Sequence, residues 1–458
     1  MTPPTLTLPT LTLPASPLAA MFGSAAMEAL FTPEAGLQAM LDVEAALARA
    51  EAKCGIIPKR AAAPIARACD AARYDLAALG QAARLAGNLA IPMVKALTAE
   101  VARRDSQAAR YVHWGATSQD IIDTGLLLQL RQALLLIEVD LAGLDRALAG
   151  LARRHKKTLM AGRTWLQQAA PIPFGFKLGG WLGAIRRDRA RLRQIKPRLL
   201  VLQFGGAVGS LASLGDAGLK VSAALAKELQ LGLPPQPWHG QRDRMVEIAG
   251  WLGLLTGNLA KMARDISLLM QTELGEVYEP AGAGKGGSST MPHKRNPVGC
   301  AAVLAAHAQV PGLLAGLYGG MALEHERGLG GWQAEWQSLP MLCKLTAGAL
   351  GQMREIAEGL EVDTRRMRRN LDITDGLIMA EAVSLGLARF IGKAAAHGIV
   401  EAASKQAVTQ RRGLREVLAE NPAVTRHLDK SALDRLFDPA RYTGMSEAFI
   451  RRSLADKG

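Results

Sequence analysis

The stretch of sequence that decides the fold is residues 127–151, LLQLRQALLLIEVDLAGLDRALAGL. Its aliphatic residues recur at alternating steps of three and four, which is the spacing of a single apolar stripe along a helix. At 1.5 Å per residue the stripe is roughly 36 Å long, so it predicts a long helix that packs lengthwise against others. The stripe consists of Leu127, Leu130, Leu134, Ile137, Leu141, Leu144, Leu148 and Leu151.

Two further stripes with the same spacing follow. Residues 248–269 carry an uninterrupted one, whereas the stripe in residues 185–202 is broken at the charged pair Asp188 and Arg189 and contains Pro197. The sequence therefore predicts an all-α protein with a central bundle of long helices and shorter helices on either side. The predicted parts are a mobile N-terminal tail (residues 1–20), an N-terminal helical domain (21–110), a central bundle domain (111–360) and a C-terminal helical domain (361–458).

The composition points to an anionic partner. The 458 residues include 55 Lys and Arg against 41 Asp and Glu, a formal net charge of +14. Nucleic acid, an acidic membrane surface and a polyanionic small molecule are all candidates for such a charge. Aromatic residues make up only 4% of the chain, which disfavours proteins that stack bases on aromatic side chains. The basic residues are also spread along the whole chain, so nucleic-acid binding is disfavoured.

The N-terminal residues 2–18 contain five prolines and no charged side chain, so they do not form the unbroken apolar helix of a secretory signal. No charge-free stretch of 18 apolar residues is evident, and a membrane span is not expected. The cysteines form neither a disulfide framework nor a metal motif, and no HExxH sequence occurs, so we expect no metal and a cytoplasmic location. The four cysteines are Cys54, Cys69, Cys300 and Cys343.

Function is expected in the Gly- and Pro-rich connections, of which residues 282–297, GAGKGGSSTMPHKRNP, are the most informative. They match the dinucleotide pattern GxGxxG only loosely, because a helical stripe precedes them, and Lys285 is followed by Gly, which excludes a phosphate P-loop. The Ser288 hydroxyl, the Lys294 ammonium and the Asn296 amide suit removal of a proton next to a carboxylate, where preorganised donors hold a doubly charged intermediate. A disordered linker is the alternative.

Three segments carry a family resemblance: residues 112–120, VHWGATSQD, residues 162–168, GRTWLQQ, and residues 287–297, GSSTMPHKRNP. In this order they resemble signature regions of the fumarase, aspartase and adenylosuccinate lyase superfamily. The resemblance implies a three-domain fumarase/aspartase-like fold without a cofactor. It also implies a homotetramer in which three subunits build each active site, and the long apolar stripes suit the helical core of such an assembly.

The resemblance implies roles for individual residues. The first serine of the loop is the proposed base of the family, which places this role on Ser288, and Lys294 is assigned to catalysis with it. Arg327 is added as a substrate ligand because a guanidinium fork suits a carboxylate. The expected substrate-binding residues are His113, Thr117, Ser118, Trp165, Gln167, Gln241, Asn296 and Arg327.

One departure from the family pattern narrows the function. The second segment has Trp165 where typical lyases of the superfamily have the histidine that protonates a leaving amine. An amine leaves poorly without a proton, whereas a carboxylate, whose acid has a pKa of about 4, leaves as an anion. The chain also resembles the bacterial cycloisomerase branch of the superfamily in residues 202–206 (LQFGG), 237–243 (PWHGQRD) and 324–327 (EHER). That resemblance implies interconversion of 3-carboxy-cis,cis-muconate, a tricarboxylate, and 4-carboxymuconolactone in protocatechuate degradation.

Two alternatives stay open. Another superfamily lyase that acts on a succinate-like group, such as one similar to adenylosuccinate lyase, would release ammonia, an amine or fumarate. A non-catalytic helical scaffold is the second alternative, and the intact loop with Ser288, Lys294 and Asn296 disfavours it.

Overall fold

The computed structural model describes residues 21–282, 284–287, 290–291 and 293–456. Within these ranges the chain consists mainly of helices, and its strands form two short two-stranded sheets. The prediction of an all-α fold is therefore confirmed. The predicted tail, residues 1–20, lies outside the described residues, and the division into a tail and three domains stays a prediction.

The helices before residue 110 are short except for the second. They are α1 (Ala25–Leu30), α2 (Pro33–Cys54), α3 (Lys59–Ala68), α4 (Leu76–Ala86) and α5 (Ala90–Ala102). Longer helices follow, with one shorter helix among them: α6 (Ser118–Arg154), α7 (Phe174–Leu199), α8 (Gly218–Leu229), α9 (Asp243–Leu269), α10 (Val298–Gly319) and α11 (Gly331–Gly359). The C-terminal helices are α12 (Thr364–Asn370), α13 (Ala380–Ile391), α14 (Lys393–Gln410), α15 (Leu414–Glu420), α16 (Pro422–Thr425), α17 (Lys430–Leu436) and α18 (Ser446–Ala455).

The two sheets are small and antiparallel. Strands β1 (Leu159–Thr164) and β2 (Gln167–Pro173) form a hairpin between α6 and α7. Strands β3 (Val277–Tyr278) and β4 (Glu361–Val362) pair over two residues and join the segment after α9 to the segment after α11.

The three predicted stripes lie on or at the end of α6, α7 and α9, and their aliphatic side chains are buried. The break in the α7 stripe is a buried carboxylate. Asp188 accepts hydrogen bonds from Arg191 and from the Asn258 side chain of α9, each at 2.7 Å. Its backbone carbonyl accepts a bond from the indole of Trp251 at 2.9 Å. Pro197 lies in the last turn of α7, where it cannot donate a helical hydrogen bond to the carbonyl four residues earlier, and the helix ends two residues later at Leu199.

The chain divides into two compact units, and the boundaries fall inside five of the long helices. Unit 1 contains the described residues up to 140 together with residues 188–259 and 302–351. Its N-terminal part packs the apolar face of α2 against α3 and α8, with Leu41, Ile65 and Leu225 in one buried cluster.

Unit 2 contains residues 141–187, 260–301 and the described residues from 352 onward. Its C-terminal helices share a buried cluster that includes Leu387 and Leu418. The β1–β2 hairpin is anchored in this unit, because Ala161 of β1 packs with Leu371 and Ile378.

Helix α10 corrects one expectation. Among the described residues it is long and apolar enough to cross a membrane by length and composition, whereas no such stretch was expected from the sequence. A single helix of this kind is weak evidence for a membrane span, because core helices pass the same test. Only 33% of its most apolar window is buried within one chain. Among its larger side chains, Val303, Val310 and Leu317 are buried, whereas Val298 and Tyr318 are exposed.

Candidate functional site

The first motif segment, residues 112–120, leads into α6. The backbone N–H of Thr117 donates to Asp120 Oδ2 at 3.0 Å, which is the reciprocal half of a capping box at a helix start. The negative charge of Asp120 also lies in the first turn of α6, where the helix dipole favours it. The local sequence TSQD thus explains why the helix begins here and why Thr117 and Ser118 stand at its entrance.

Asp120 ties three of the predicted segments together. Its carboxylate is buried and accepts the backbone N–H groups of Gly205 and Gly206, each at 2.9 Å. His239 Nε2 lies 2.8 Å from Asp120 Oδ1. Because ionised acceptors bind several donors strongly, this carboxylate fixes the relative positions of residues 112–120, 202–206 and 237–243.

His113 is held by a carboxylate from α2. Its Nδ1 lies 2.6 Å from Glu44 Oε1, and its backbone adopts a positive φ of 58°, a conformation that is uncommon for residues other than glycine. Burial alone would lower the pKa of His113, but the charge of Glu44 and its hydrogen bond outweigh burial and raise the pKa. The pair therefore favours an imidazolium at this position.

Arg327 is the second cation beside this segment. Its guanidinium donates to Thr117 Oγ1 at 3.1 Å and to the carbonyl of Ala207 at 2.9 Å. Its Nε is buried and has no hydrogen-bond partner in the part of the chain that the structure describes. A buried donor left unpaired costs free energy, so this nitrogen requires a partner that the described residues do not supply.

The segment 237–243 approaches the loop that carries Arg327. A Cβ added at Gly240 would lie 3.0 Å from the carbonyl oxygen of His325, so glycine permits this close contact. The backbone N–H of Gln241 donates to the Trp238 carbonyl at 3.2 Å, and the Gln241 side chain is exposed. The sequence-predicted ligand Gln241 therefore presents its amide to solvent within one chain.

A fully buried ion network lies in the same unit. Arg242 donates two hydrogen bonds to Asp123, at 2.8 and 3.0 Å, and two to Glu335, at 2.8 and 2.5 Å. The indole of Trp332 donates to Asp123 at 2.9 Å. Burial raises the pKa of Glu335 despite the neighbouring Arg242. Trp332 is thus buried and completes the network.

In unit 2 the hairpin carries the second motif segment. Arg163 of β1 makes a two-pronged ion pair with Glu276, at 2.6 and 3.0 Å, and Asn370 donates to Glu276 at 2.8 Å. The ion pair with Glu276 therefore engages the Arg163 guanidinium at the base of the hairpin. Gln167 begins β2, and its side chain is exposed.

The hairpin tip is strained and exposed. Trp165 and Leu166 have φ values of 52° and 64°, the φ pattern of a type I′ turn, which normally uses Asn or Gly. Trp165 is 97% exposed and Leu166 is 75% exposed. Strain of this kind persists where the surrounding structure enforces it and is concentrated at functional sites. The hairpin thus holds an indole out into solvent at an energetic cost.

The signature loop is described only in part. Ser288 and Ser289 lie outside the described residues. Lys294 is exposed, and the backbone N–H of Asn296 donates to the Gly286 carbonyl at 2.8 Å, which closes the base of the loop. The Asn296 side chain is half-buried.

Two ion pairs fasten this loop to neighbouring elements of unit 2. Arg295 forms two hydrogen bonds of 2.9 Å with Glu361 of β4 and stacks over the ring of Tyr278 at 5.0 Å. Lys285 lies 2.5 Å from Glu355. Arg295 and Lys285 therefore have carboxylate partners already, which leaves Lys294 as the better placed cation for a substrate.

The predicted residues fall into two groups. Unit 1 contains His113, Thr117, Ser118, Gln241 and Arg327, while unit 2 contains Trp165, Gln167, Lys294 and Asn296. The structure brings Thr117 and Arg327 into contact and places His113 in the same segment as Thr117. The roles assigned to all these residues stay predictions.

Sequence reasoning missed Glu44. On α2 the buried residues Leu37, Leu41, Glu44, Ala48 and Glu51 follow alternating steps of four and three, so two glutamates occupy positions of an apolar stripe. That interruption was a usable signal, because acidic residues are almost never fully buried unless paired. Among the described residues no group of three or more His, Cys, Asp or Glu side chains is arranged to hold a metal ion.

The helical fold and these segments define a lyase of the fumarase type, and the comparison with known families agrees. Residues 20–312 match the family described as Lyase, and residues 376–453 match the family described as Adenylosuccinate lyase C-terminus. The chain belongs to the lyase family that includes fumarase, aspartase and adenylosuccinate lyase. The family resemblance seen in the sequence is confirmed.

Individual relatives and a solved structure are more specific than the family match. The 3-carboxy-cis,cis-muconate cycloisomerase of Pseudomonas aeruginosa is 59% identical to the chain over 437 residues, which cover 95% of each protein. The cycloisomerase of the same name from Bradyrhizobium diazoefficiens is 54% identical and covers 95% of this chain and 97% of its own length. The crystal structure of 3-carboxy-cis,cis-muconate lactonizing enzyme from Pseudomonas putida has a TM-score of 0.91 at 54% identity and covers 96% of this chain and 98% of that one.

Proposed function

We propose that the chain is an enzyme that interconverts 3-carboxy-cis,cis-muconate and 4-carboxymuconolactone. The observation that carries the proposal is the residue at the hairpin tip. Trp165 cannot donate the proton that a leaving amine needs, so the position suits a reaction whose leaving group is a carboxylate. The similarity to two cycloisomerases of this specificity, each over 95% of the chain, supports the same reaction.

The chemistry is an intramolecular addition and its reverse. In the lactonising direction, a carboxylate oxygen of the substrate forms a C–O bond to a carbon of the diene. The electron pair of that double bond shifts toward the carbon alpha to another carboxylate, and this carbon takes up one proton. In reverse, a base removes that proton and the ring oxygen departs with the C–O bonding pair as a carboxylate. The intermediate carries extra negative charge on the carboxylate next to the reacting carbon, which preorganised donors stabilise.

Ser288 carries the proton in this proposal, and Lys294 stabilises its alkoxide and the negative intermediate. The charged side chains of His113 and Arg327 bind substrate carboxylates. The raised pKa of His113 and the unpaired Nε of Arg327 support these two residues as ligands beside Thr117 and Ser118. Trp165 shapes the pocket, and Gln167, Gln241 and Asn296 donate amide hydrogen bonds to the substrate.

The proposed assembly is a homotetramer with shared active sites. Helix α10 supports association with other copies, because it is long and apolar, only 33% of its most apolar window is buried within one chain, and exposed apolar surface marks an interaction site. The almost fully exposed Trp165 supports a tip that completes the site of another copy. The three-domain division belongs to the same proposal.

The proposed compartment is the cytoplasm, where thiols stay reduced. All four cysteines are free thiols. A diffusible tricarboxylate is the partner in this account, with no nucleic acid, no membrane and no cofactor. The dispersed positive charge then acts as a field that attracts the anionic substrate.

The test is to incubate the purified enzyme with 3-carboxy-cis,cis-muconate and follow the loss of diene absorbance. Rapid loss is the expected result. Unchanged absorbance together with cleavage of adenylosuccinate to fumarate would instead favour the lyase alternative, and inactivity on both substrates would favour the scaffold.

A further inference from the structure

Two glutamates lie inside the apolar core formed by α2. Glu44 is 1% exposed and Glu51 is fully buried, seven residues further along the same face of the helix. Glu44 Oε2 and both carboxylate oxygens of Glu51 have no hydrogen-bond partner among the residues the structure describes. Burying such groups is costly, so they require a compensating partner or a change of protonation state.

The two acids meet this requirement differently. Burial, reinforced by the negative charge of Glu44, raises the pKa of Glu51 to about 9, so Glu51 is neutral at physiological pH. Glu44 instead makes its one described hydrogen bond to His113 Nδ1 at 2.6 Å. The neighbouring titratable groups are Asp120, whose charge raises the pKa of His113, and Glu51 and the Cys69 thiol, whose pKa values the charge of Glu44 raises.

We infer that Glu44 is a positioning residue that keeps His113 protonated and oriented as a cationic ligand for one substrate carboxylate. This inference rests on the proposed function, which places His113 at the substrate. Glu44 occupies Nδ1, so only Nε2 is left for an anion. A charge-assisted N–H···O bond from an imidazolium is roughly twice as strong as a bond from a neutral ring.

The arrangement predicts how binding responds to pH. With Glu44 present, His113 keeps its proton above its ordinary pKa of about 6.5. Without that carboxylate, burial lowers the pKa of the ring and only the charge of Asp120 opposes it. The variant ring therefore loses its proton at a lower pH than the wild-type ring, whereas at low enough pH the rings of both proteins are protonated. The variant should therefore bind the substrate carboxylate less tightly than the wild type, by a factor that increases with pH.

The experiment compares Glu44→Gln with the wild-type enzyme over pH 5.5 to 8. We expect KM for 3-carboxy-cis,cis-muconate to rise about tenfold at pH 8, because a neutral ring gives a substrate carboxylate a weaker hydrogen bond than an imidazolium does. The rise should be much smaller at pH 5.5, and kcat should stay within about twofold throughout. Glu51→Gln is the matched control, because Glu51 lies on the same face and is already neutral. Its KM should equal that of the wild type at every pH.

A second measurement does not depend on catalysis. NMR of enzyme labelled with [13C]histidine, with the His113 signal assigned from His113→Gln, should show a lower His113 pKa in Glu44→Gln than in wild type. If the wild-type enzyme leaves the muconate untouched while this pKa difference is present, the proposed function fails and the Glu44–His113 coupling stands. An unchanged His113 pKa would overturn the inference. A change in KM that is the same at every pH would also overturn it.

If Glu44→Gln does not fold, Glu44→Asp replaces it, because the charge is kept and the hydrogen bond is lengthened. A smaller but still pH-dependent rise in KM is then expected. A folded Glu44→Asp enzyme with wild-type KM across the pH range would contradict the positioning role.

Discussion

The candidate residues of unit 1 and those of unit 2 are built in opposite ways. In unit 1, Thr117 donates its backbone N–H to the buried carboxylate of Asp120 and accepts a hydrogen bond from Arg327, and the ions of the buried Arg242 network are paired with one another. In unit 2, Trp165 and Lys294 stand on an exposed hairpin tip and an exposed loop. The first group is preorganised by its own chain. The second group lies on segments that are exposed to solvent within one chain. Substitutions there should therefore alter activity more than stability.

The largest effect should come from the exposed loop. In the proposed mechanism Ser288→Ala removes the proton carrier, and general acid–base catalysis contributes typically 10²–10⁴-fold, so we expect kcat to fall by about that factor. The unfolding midpoint should stay close to that of wild type. Turnover of 3-carboxy-cis,cis-muconate and thermal unfolding are the measurements, and Ser289→Ala, in the same loop, is the control with a smaller loss. Near-normal turnover of folded Ser288→Ala would contradict the assignment.

The buried network should respond in the opposite way. Arg242→Met leaves Asp123 and Glu335 as uncompensated buried carboxylates, and breaking a buried pair costs about 3–5 kcal/mol of unfolding free energy. Urea denaturation measures the loss. Arg198→Met removes an exposed pair with Glu247 and is the matched control, for which the urea midpoint should hardly move. Equal midpoints for both variants would refute the distinction between buried and exposed pairs.

The pH dependence of stability should report Glu51. Its folded pKa of about 9 lies above its unfolded value, so the folded state binds one more proton between about pH 4.5 and 9. The contribution of Glu51 to the free energy of unfolding is therefore fully present below pH 4.5. It is lost as pH rises toward 9, by up to about 1.4 kcal/mol per pH unit. Glu51→Gln should gain stability relative to wild type as pH rises from 6 to 8, measured by urea denaturation. A constant difference across this range would show that Glu51 is ionised in the folded protein.

The smallest expected effects are those of substitutions at Trp165 and Trp332, which should differ from each other. Trp165→Ala should lower kcat/KM about tenfold and leave the unfolding free energy of one chain within about 0.5 kcal/mol, because the indole is exposed. Trp332→Phe should cost about 1–3 kcal/mol in stability, because it leaves the buried Asp123 without one donor. Activity assays and denaturation of both variants test the pair. Loss of stability in Trp165→Ala alone would reverse the comparison.

The apolar stripes predicted the long helices because each stripe depends on local spacing. The stripe residues between Leu127 and Leu151 are buried, which confirms the prediction for α6. The capping residue Asp120 lies within the motif that the sequence had singled out. Contacts between distant residues were not predictable from spacing. Arg242 meets Asp123 and Glu335 across 119 and 93 residues, and Arg163 meets Glu276 across 113.

The remaining misses have physical reasons as well. The charged pair at Asp188 broke the predicted stripe, yet Asp188 is buried because Asn258 and Arg191 supply donors. Glu44 was overlooked because a glutamate in an alanine-rich helix resembles a solvated residue until its partner His113 is known. The apolar character of α10 was overlooked because His307, Gln309, Pro311 and several glycines interrupt its aliphatic residues, although Val298–Gly319 carries no Asp, Glu, Lys or Arg.

The most direct test of the central claim is NMR of the enzyme reaction in D₂O, starting from 3-carboxy-cis,cis-muconate. The proposed reaction predicts 4-carboxymuconolactone that carries one deuterium at the carbon alpha to a carboxylate, with no fragment released. Unchanged muconate, or cleavage of a succinate-like substrate to fumarate in its place, would contradict it.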